Sequence, residues 1–392
     1  MSRTVYADHA ATTPMTKRAI DEMTESIINI FGNPSGVHSE SQTARAALDD
    51  SRRRIAECIG AQKNELRFTS NGSESDNWAI LGTAHANKDK GRHIITSNIE
   101  HHAVIGACEH LRSQGFEVTF LESDEYGSIS TDSLQNSIRK DTILVSVMMA
   151  NNEVGTIQPI KEMAEISHEV GAIFHTDAVQ TVGHLPVDVN ALGVDLLTMS
   201  GHKFGGPKGI GALYARRGVA LHPLIHGGGQ ERGLRGGTEN VAGAIAMAAA
   251  LEDSVSEMED EKRRLTSLRD RLIRGVLDIE GSMLTGHPER RLPGLASFAF
   301  EGIEGESAAL MLDYRGIRAS TGSACSTGSL KGSHVLTSMG IPPSWSHGSI
   351  RFSLGRMNDN DDVDYILEHM PQVVERLRSL PPLCNCGTVK GE

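Results

Sequence analysis

Several polar side chains stand where apolar stretches of the chain stop, and their types are those of a covalent-catalysis site. Lys203 follows the apolar run Leu196–Met199 within "SGHKFGGPKGIG", beside Ser200 and His202. Asp177 directly follows Ala172–Thr176, with Gln180 close behind it in "DAVQ". Gly72 and Ser73 follow Leu66–Thr69 in "SNGSESDNWAI", ahead of a helical run containing Glu74, Asp76 and Ile80. The pair His101-His102 lies just beyond His93–Ser97, and "ANNEVG", with Asn152, follows Ile143–Met149. A lysine amine can form a Schiff base with a carbonyl compound. A carboxylate at the end of a buried strand is costly unless it meets a cation. Free N–H groups at a helix start, with a hydroxyl beside them, can hold a phosphate. Each feature also has a plain structural reading: a solvated lysine on a turn, an N-cap at Asp177, a capping box at Ser70 and Ser73 or at Ser73 and Asp76, an Asn-Asn-Glu turn. Cys325 is the remaining candidate. It sits in "ASTGSACSTGS", Ala319 to Ser329, which holds nothing larger than threonine. Such a stretch favours a loop, and its thiol is either incidental or a carried nucleophile.

The elements that must position these residues are legible between about residues 60 and 215. Strand-like runs at Leu66–Thr69, His93–Ser97, Glu117–Leu121, Ile143–Met149, Ala172–Thr176, Leu196–Met199 and Gly211–Ala215 alternate with amphipathic stretches such as Ser133–Arg139 and Ile160–Glu169. This alternation predicts an α/β fold with a mostly parallel sheet flanked by helices. Such sheets bind ligands at the carboxyl ends of their strands, where the polar candidates cluster. Glu252–Ile279 reads as a long charged helix with Leu265, Leu268, Leu272 and Val276 on one stripe, linking to a smaller α+β unit. That unit is expected to hold strands at Ser297–Phe300 and Ile350–Ser353 and a helix over Val363–Arg378. The expected division is a large domain over 16–252, and a small domain made of 1–15 and 253–392 that carries the Cys325 loop at about 319–332.

Composition narrows the function. The net charge of −12 argues against a general nucleic-acid or membrane-surface binder, whose partners are themselves anionic. The start lacks the apolar core of a signal peptide, no apolar run approaches a membrane span, and five cysteines make a disulfide framework unlikely in so long a chain, so the expected address is the cytoplasm. Gly201 to Gly206 resembles the start of a P-loop, but Pro207 stands where that motif needs its lysine. No strand-linked G-x-G-x-x-G with a following ribose-binding acid occurs either. Pyridoxal phosphate fits the parts jointly: it needs a Schiff-base lysine, a carboxylate for its ring nitrogen, a phosphate cradle, and gains from a ring stacked on its face. Lys203, Asp177, Gly72 with Ser73, and the histidine pair supply these.

The motifs "YADHAATTP", "FGNPSGVH", "FTSNGSESDN", "EHHAV", "NNEVGTIQPI", "HTDAVQ", "SGHKFGGPKGIGALY", "HGGGQERGLRGGTEN", "GSACSTGSL" and "RFSLGR" together cover nearly the whole chain. On them the sequence resembles the cysteine desulfurases of the IscS/NifS family, within the class V aminotransferase group of fold-type-I pyridoxal phosphate enzymes. The Cys325 segment resembles the long-loop subclass. The resemblance implies that Lys203 carries the cofactor and that Gly72, Ser73, Ser200 and His202 contact its phosphate. The family more often has Ala-Thr in place of Gly72-Ser73, and either hydroxyl can donate to phosphate. Asp177 would pair with the ring nitrogen, Gln180 with the ring hydroxyl, and Asn152 with the cofactor; His101 would stack on the ring and take the thiol proton. Thr238 would reach the phosphate of a neighbouring subunit in a homodimer. Arg351 would clamp the substrate carboxylate, with Asn33 assisting.

The implied reaction converts L-cysteine to L-alanine and leaves the sulfur on Cys325 as a persulfide, for an IscU/NifU-like iron–sulfur scaffold or another acceptor. No metal site is expected beyond Cys325 as a transient iron–sulfur ligand. Cys58 and Cys108 read as packing residues, and Cys384 and Cys386 form a C-x-C too sparse to define a structural zinc site. Two alternatives stay open here. One is a selenocysteine lyase or another class V enzyme, although a plain aminotransferase has no use for Cys325. The other is a non-catalytic iron–sulfur scaffold built on Cys325 and the tail thiols, which would not need Lys203.

Overall fold

The computed structural model describes residues 3–322 and 332–380; Cys325, Cys384 and Cys386 lie outside the described residues. Seven short strands form one sheet in the spatial order Leu66–Thr69, Gly211–Ala215, Leu196–Ser200, Ile173–Asp177, Thr142–Ser146, His93–Ser97, Glu117–Leu121. Every position of His93–Ser97, Thr142–Ser146, Leu196–Ser200 and Gly211–Ala215 is buried, as strands covered on both faces require. Pairing is parallel except at Gly211–Ala215, which runs against both neighbours. This is the expected α/β architecture. Six strands therefore bring their carboxyl ends to one edge, and all of them except Glu117–Leu121 lead into the candidate residues. The expected strand over Ile143–Met149 is shorter, ending at Ser146. Beyond it Val147 and Met149 still donate to the His175 and Asp177 carbonyls, while the Met148 amide donates to the Glu100 carboxyl.

The long helix starts earlier than its charge pattern suggests, spanning Val241–Leu277 in place of Glu252–Ile279. Asn240 caps it by accepting from the Gly243 amide, and alanine, the best helix former, continues it. At 1.5 Å per residue the helix is roughly 55 Å long. It spans two apolar cores. Its first turns bury Ala246, Met247 and Leu251 with sheet residues such as Val145, Phe174 and Leu197. Its later turns bury Leu265, Leu268, Leu272 and Val276 with Phe298, Phe352 and Ile366. The second core lies on an antiparallel sheet ordered Ser349–Ser353, Leu295–Phe300, Ser282–Thr285. Val5 and Ala7 pack into it, and Val5–Tyr6 pairs in parallel with Ile317–Arg318. The last helix, Asn360–Arg378, begins three residues before the expected Val363 because Asp359 and Asp362 form a reciprocal capping box. Among the described residues no helix is long and apolar enough to cross a membrane.

One buried ion pair holds the segment that carries Thr238. The Arg52 guanidinium donates to both Glu231 oxygens, at 2.7 and 2.8 Å, and to the Leu66 carbonyl at 3.0 Å. Both residues are buried, and Glu231 and Arg232 stand at φ of 45° and 62°, a strained turn that the pair holds in place. Glu231→Gln removes the counter-charge and is expected to destabilise the fold by about 3–5 kcal/mol, read as a lower denaturation midpoint. A midpoint equal to that of the parent protein would show that the turn does not depend on the pair.

Candidate active site

A cavity of about 300 Å³ opens at the carboxyl edge of the large sheet. Gly72, Ser73, His101, Asn152, Asp177, Gln180, Ser200, His202, Lys203 and Arg351 all line it. The N-terminal segment closes one side. The Lys203 amine donates to the Ala10 and Ala11 carbonyls at 2.6 and 3.0 Å, and the Gln180 amide donates to Ala10 at 3.0 Å. His202 is tied to the same segment: its Nδ1 meets the Thr12 hydroxyl at 3.1 Å and its carbonyl accepts from the Thr13 amide. Gly205 follows in a left-handed conformation, φ 87°, where a β-carbon would stand 2.6 Å from the Thr16 methyl. Burial pushes the His202 imidazole down to about 4, with the Lys203 charge adding to the effect.

Asp177 ends its strand 6% exposed, with Oδ1 accepting from the Val179 amide at 2.9 Å. It therefore closes a turn and does not cap a helix. Burial drives its carboxyl above the usual range, while His101, the Val179 amide and Lys203 oppose the shift. A second carboxyl, Asp76, lines the same cavity; burial, then the Asp177 charge, drives it well above its ordinary value. His101 caps the helix His102–Ser113 through Nδ1, which accepts from Ala103 at 3.2 Å. Burial lowers its pKa, the Lys203 and His102 charges act in the same sense, and Asp177 opposes them.

Gly72 opens a continuous helical run, Gly72–Asn77, a π turn over Trp78–Gly82, then Thr83–Asn87. Neither serine-based capping box forms. Asn71 is the N-cap, its side-chain oxygen accepting from the Glu74 amide at 2.9 Å. Ser70 instead donates to the Glu74 carboxylate, which pairs with Arg235. A β-carbon on Gly72 would lie 2.9 Å from the Val179 methyl and 3.5 Å from the Ser200 Cβ, so glycine lets this helix start sit against the cavity wall without displacing Val179. The Ser200 hydroxyl is buried there with no hydrogen-bond partner.

Arg351 reaches the cavity from the other core's sheet. It is 4% exposed, donates to the Asn152 carbonyl at 2.8 Å and to Asp8 at 2.9 Å, and its Nε has no partner. Two predicted residues do not join this group within the chain. Asn33 is exposed, its Oδ1 accepting from the Ser35 amide, and Thr238 is exposed. Sequence reasoning passed over Asp8, Asp76, Glu153 and the Ala10 and Ala11 carbonyls. Asp8 and the alanines lie in "YADHAATTP", but a backbone acceptor carries no side-chain signal, and Glu153 read as part of a turn.

The Aminotransferase class-V family matches residues 5–366. The chain is 54% identical to a cysteine desulfurase IscS of Methanosarcina thermophila over 97% of this chain and 95% of that one. It is 51% identical to a cysteine desulfurase IscS of Dictyoglomus turgidum over 97% of each. Among solved structures it is similar to a NifS-like protein, with TM-score 0.90 and 37% identity over 96% of this chain and 100% of that one. It is also similar to SspA in complex with cysteine, with TM-score 0.80 and 36% identity over 90% and 99% of the two chains. The chain therefore belongs to the class V aminotransferase family and, within it, to the cysteine desulfurases.

Proposed function

We propose that the protein is a pyridoxal 5′-phosphate-dependent desulfurase that converts L-cysteine to L-alanine and takes the sulfur onto Cys325 as a persulfide. The observation that carries this reading is the meeting of Lys203, Asp177, Arg351 and the unpartnered Ser200 hydroxyl in one cavity. The residues fit the cofactor on physical grounds. Ser200 is a buried donor that lacks an acceptor, Gly72 leaves open the space a β-carbon would take beside Val179 and Ser200, and Asp177 is a buried carboxyl placed to receive a cationic ring nitrogen. Lys203 would hold the cofactor covalently; Ser73, Ser200, His202 and the Gly72–Ser73 backbone would take its phosphate, and Gln180, Asn152 and His101 its ring. When bound, pyridoxal phosphate supplies the electron sink that labilises bonds at the α- and β-carbons of an amino acid.

The remaining steps belong to the chain. Arg351, oriented by Asp8 and Asn152, presents a guanidinium edge to the substrate carboxylate. Lys203 Nζ removes and returns the α-proton. His101, kept neutral by burial, takes the thiol proton. The Cys325 thiolate attacks the substrate sulfur: the new S–S bond forms, the Cβ–S bond breaks, and its electron pair stays with the carbon skeleton, which takes up a proton and leaves as alanine. The persulfide then serves a thiol acceptor, for which an iron–sulfur scaffold of the IscU/NifU kind is the proposed partner. We further assign 16–252 to a large domain and 1–15 with 253–392 to a small one; the packing of Val5 and Ala7 with Leu265–Val276 supports this. A homodimer is supported by exposed Thr238 and by the apolar surface at Ile27, Ile28, Phe31 and Val37.

Incubation with L-cysteine and a reductant should release sulfide and alanine in equal amounts; pyruvate and ammonia would instead identify a lyase. Cys325→Ala should retain the change in visible absorbance that L-cysteine produces, yet release no sulfide. Persistent sulfide release would remove Cys325 from the acceptor role. Ser200→Ala should weaken pyridoxal phosphate affinity by about tenfold, the scale of one hydrogen bond to a charged group. Unchanged affinity in a fluorescence titration would show that Ser200 does not contact the phosphate.

A further inference from the structure

Glu153 is a buried carboxyl that none of the steps above uses. It is 7% exposed and belongs to the same turn as Asn152, whose carbonyl holds Arg351. Its backbone is fixed by Asn151, whose side-chain oxygen accepts from the Glu153 amide at 2.8 Å and whose amide donates to the Ile99 carbonyl at 2.9 Å. Its carboxylate accepts from the Ser333 hydroxyl. Ser333 is in turn the N-cap of His334–Ser338, and His334 Nε2 lies 3.0 Å from the Glu100 carbonyl. The Glu153 Oε2 atom also packs against Gly322, where a β-carbon would lie 3.1 Å from it, 3.2 Å from the Ser349 hydroxyl and 3.7 Å from the Ser333 Cβ. Gly322 and Ser333 thus lie beside one carboxyl group, and Cys325 lies between them in sequence.

A buried carboxyl needs a reason to persist, since an apolar side chain could fill the same space without the desolvation cost. Burial pushes this one up to about 7, while the Ser333 hydroxyl and the Arg351 charge pull it back. We propose that Glu153 is a positioning residue for Cys325: by holding Ser333 and packing on Gly322, it fixes both ends of the thiol-bearing segment relative to Arg351. Arg351 and the two described residues that flank the thiol-bearing segment are then referenced to one turn, Asn151–Glu153. The proposal rests on the desulfurase reading.

The test separates substrate capture from sulfur transfer in the cofactor-loaded enzyme. Glu153→Ala should reach its half-maximal L-cysteine-induced absorbance change at the same cysteine concentration as the parent enzyme. Its rate of Cys325 persulfide formation, trapped by alkylation and weighed by mass spectrometry, should fall about tenfold, the scale of one hydrogen bond to a charged group. Glu153→Gln keeps an oxygen that can accept from Ser333 and should restore the rate to within about threefold, while Ser333→Ala should match Glu153→Ala. The double variant should be no slower than either single one, as expected of two groups in a single interaction. If Glu153→Ala fails to fold, Ser333→Ala carries the same comparison. Parent-like persulfide formation in both variants overturns the positioning role alone. An equal loss of the absorbance change overturns it too, because the effect would then be general damage to the site. If the parent enzyme forms no persulfide, the desulfurase reading falls and takes the positioning role with it.

Discussion

Asp177 is a carboxylate at the end of a fully covered strand, and a charge buried so deeply must be met by other charges. Much of the site can be understood as the answer to that requirement. Lys203 stands at the end of the adjacent strand, and His101 follows the end of another. The Lys203 charge and the hydrogen bond from the Val179 amide oppose the upward shift that burial imposes on Asp177. Asp76, which shares the cavity, is driven well above its ordinary value by burial and then by the Asp177 charge. A cationic ring nitrogen would complete the balance. Burial, with the Lys203 charge acting in the same sense, holds the His101 pKa down, so its imidazole is able to accept a proton.

The second constraint is the seam between the two cores. Lys203 belongs to the large sheet and Arg351 to the small one, and the N-terminal segment joins them. Asp8 pairs with Arg351, Ala10 and Ala11 accept from Lys203, and Val5 and Ala7 anchor the segment in the second core. A shift at this seam would therefore move Arg351 relative to Lys203. The turn at Asn151–Glu153 ties the same seam to Gly322 and Ser333, the two described residues on either side of Cys325 in sequence.

The sheet was largely legible because each of its strands is a short apolar run bounded by polar or glycine residues, a local pattern. Lys203, Asp177, Gly72 and Ser200 were legible because they follow such runs, and strand ends are where this architecture binds. The long helix was misjudged at its start, because an alanine-rich stretch carries no amphipathic stripe when it is buried on all sides. The capping residue at Gly72 was misassigned because serine and asparagine offer similar caps and only backbone geometry chooses between them.

The sequence by itself determined the order of strands and helices, the residue types available at each strand end, and the presence of a thiol among small residues. These depend on side chains near one another along the chain. The tertiary structure alone decided that Asp8 meets Arg351, that backbone carbonyls of Ala10 and Ala11 receive Lys203, that Asp76 shares a cavity with Asp177, and that Glu153 joins Gly322 to Ser333. Each of these contacts links residues far apart in sequence. Each is set by how two cores pack across a seam, and no local periodicity or propensity encodes that packing.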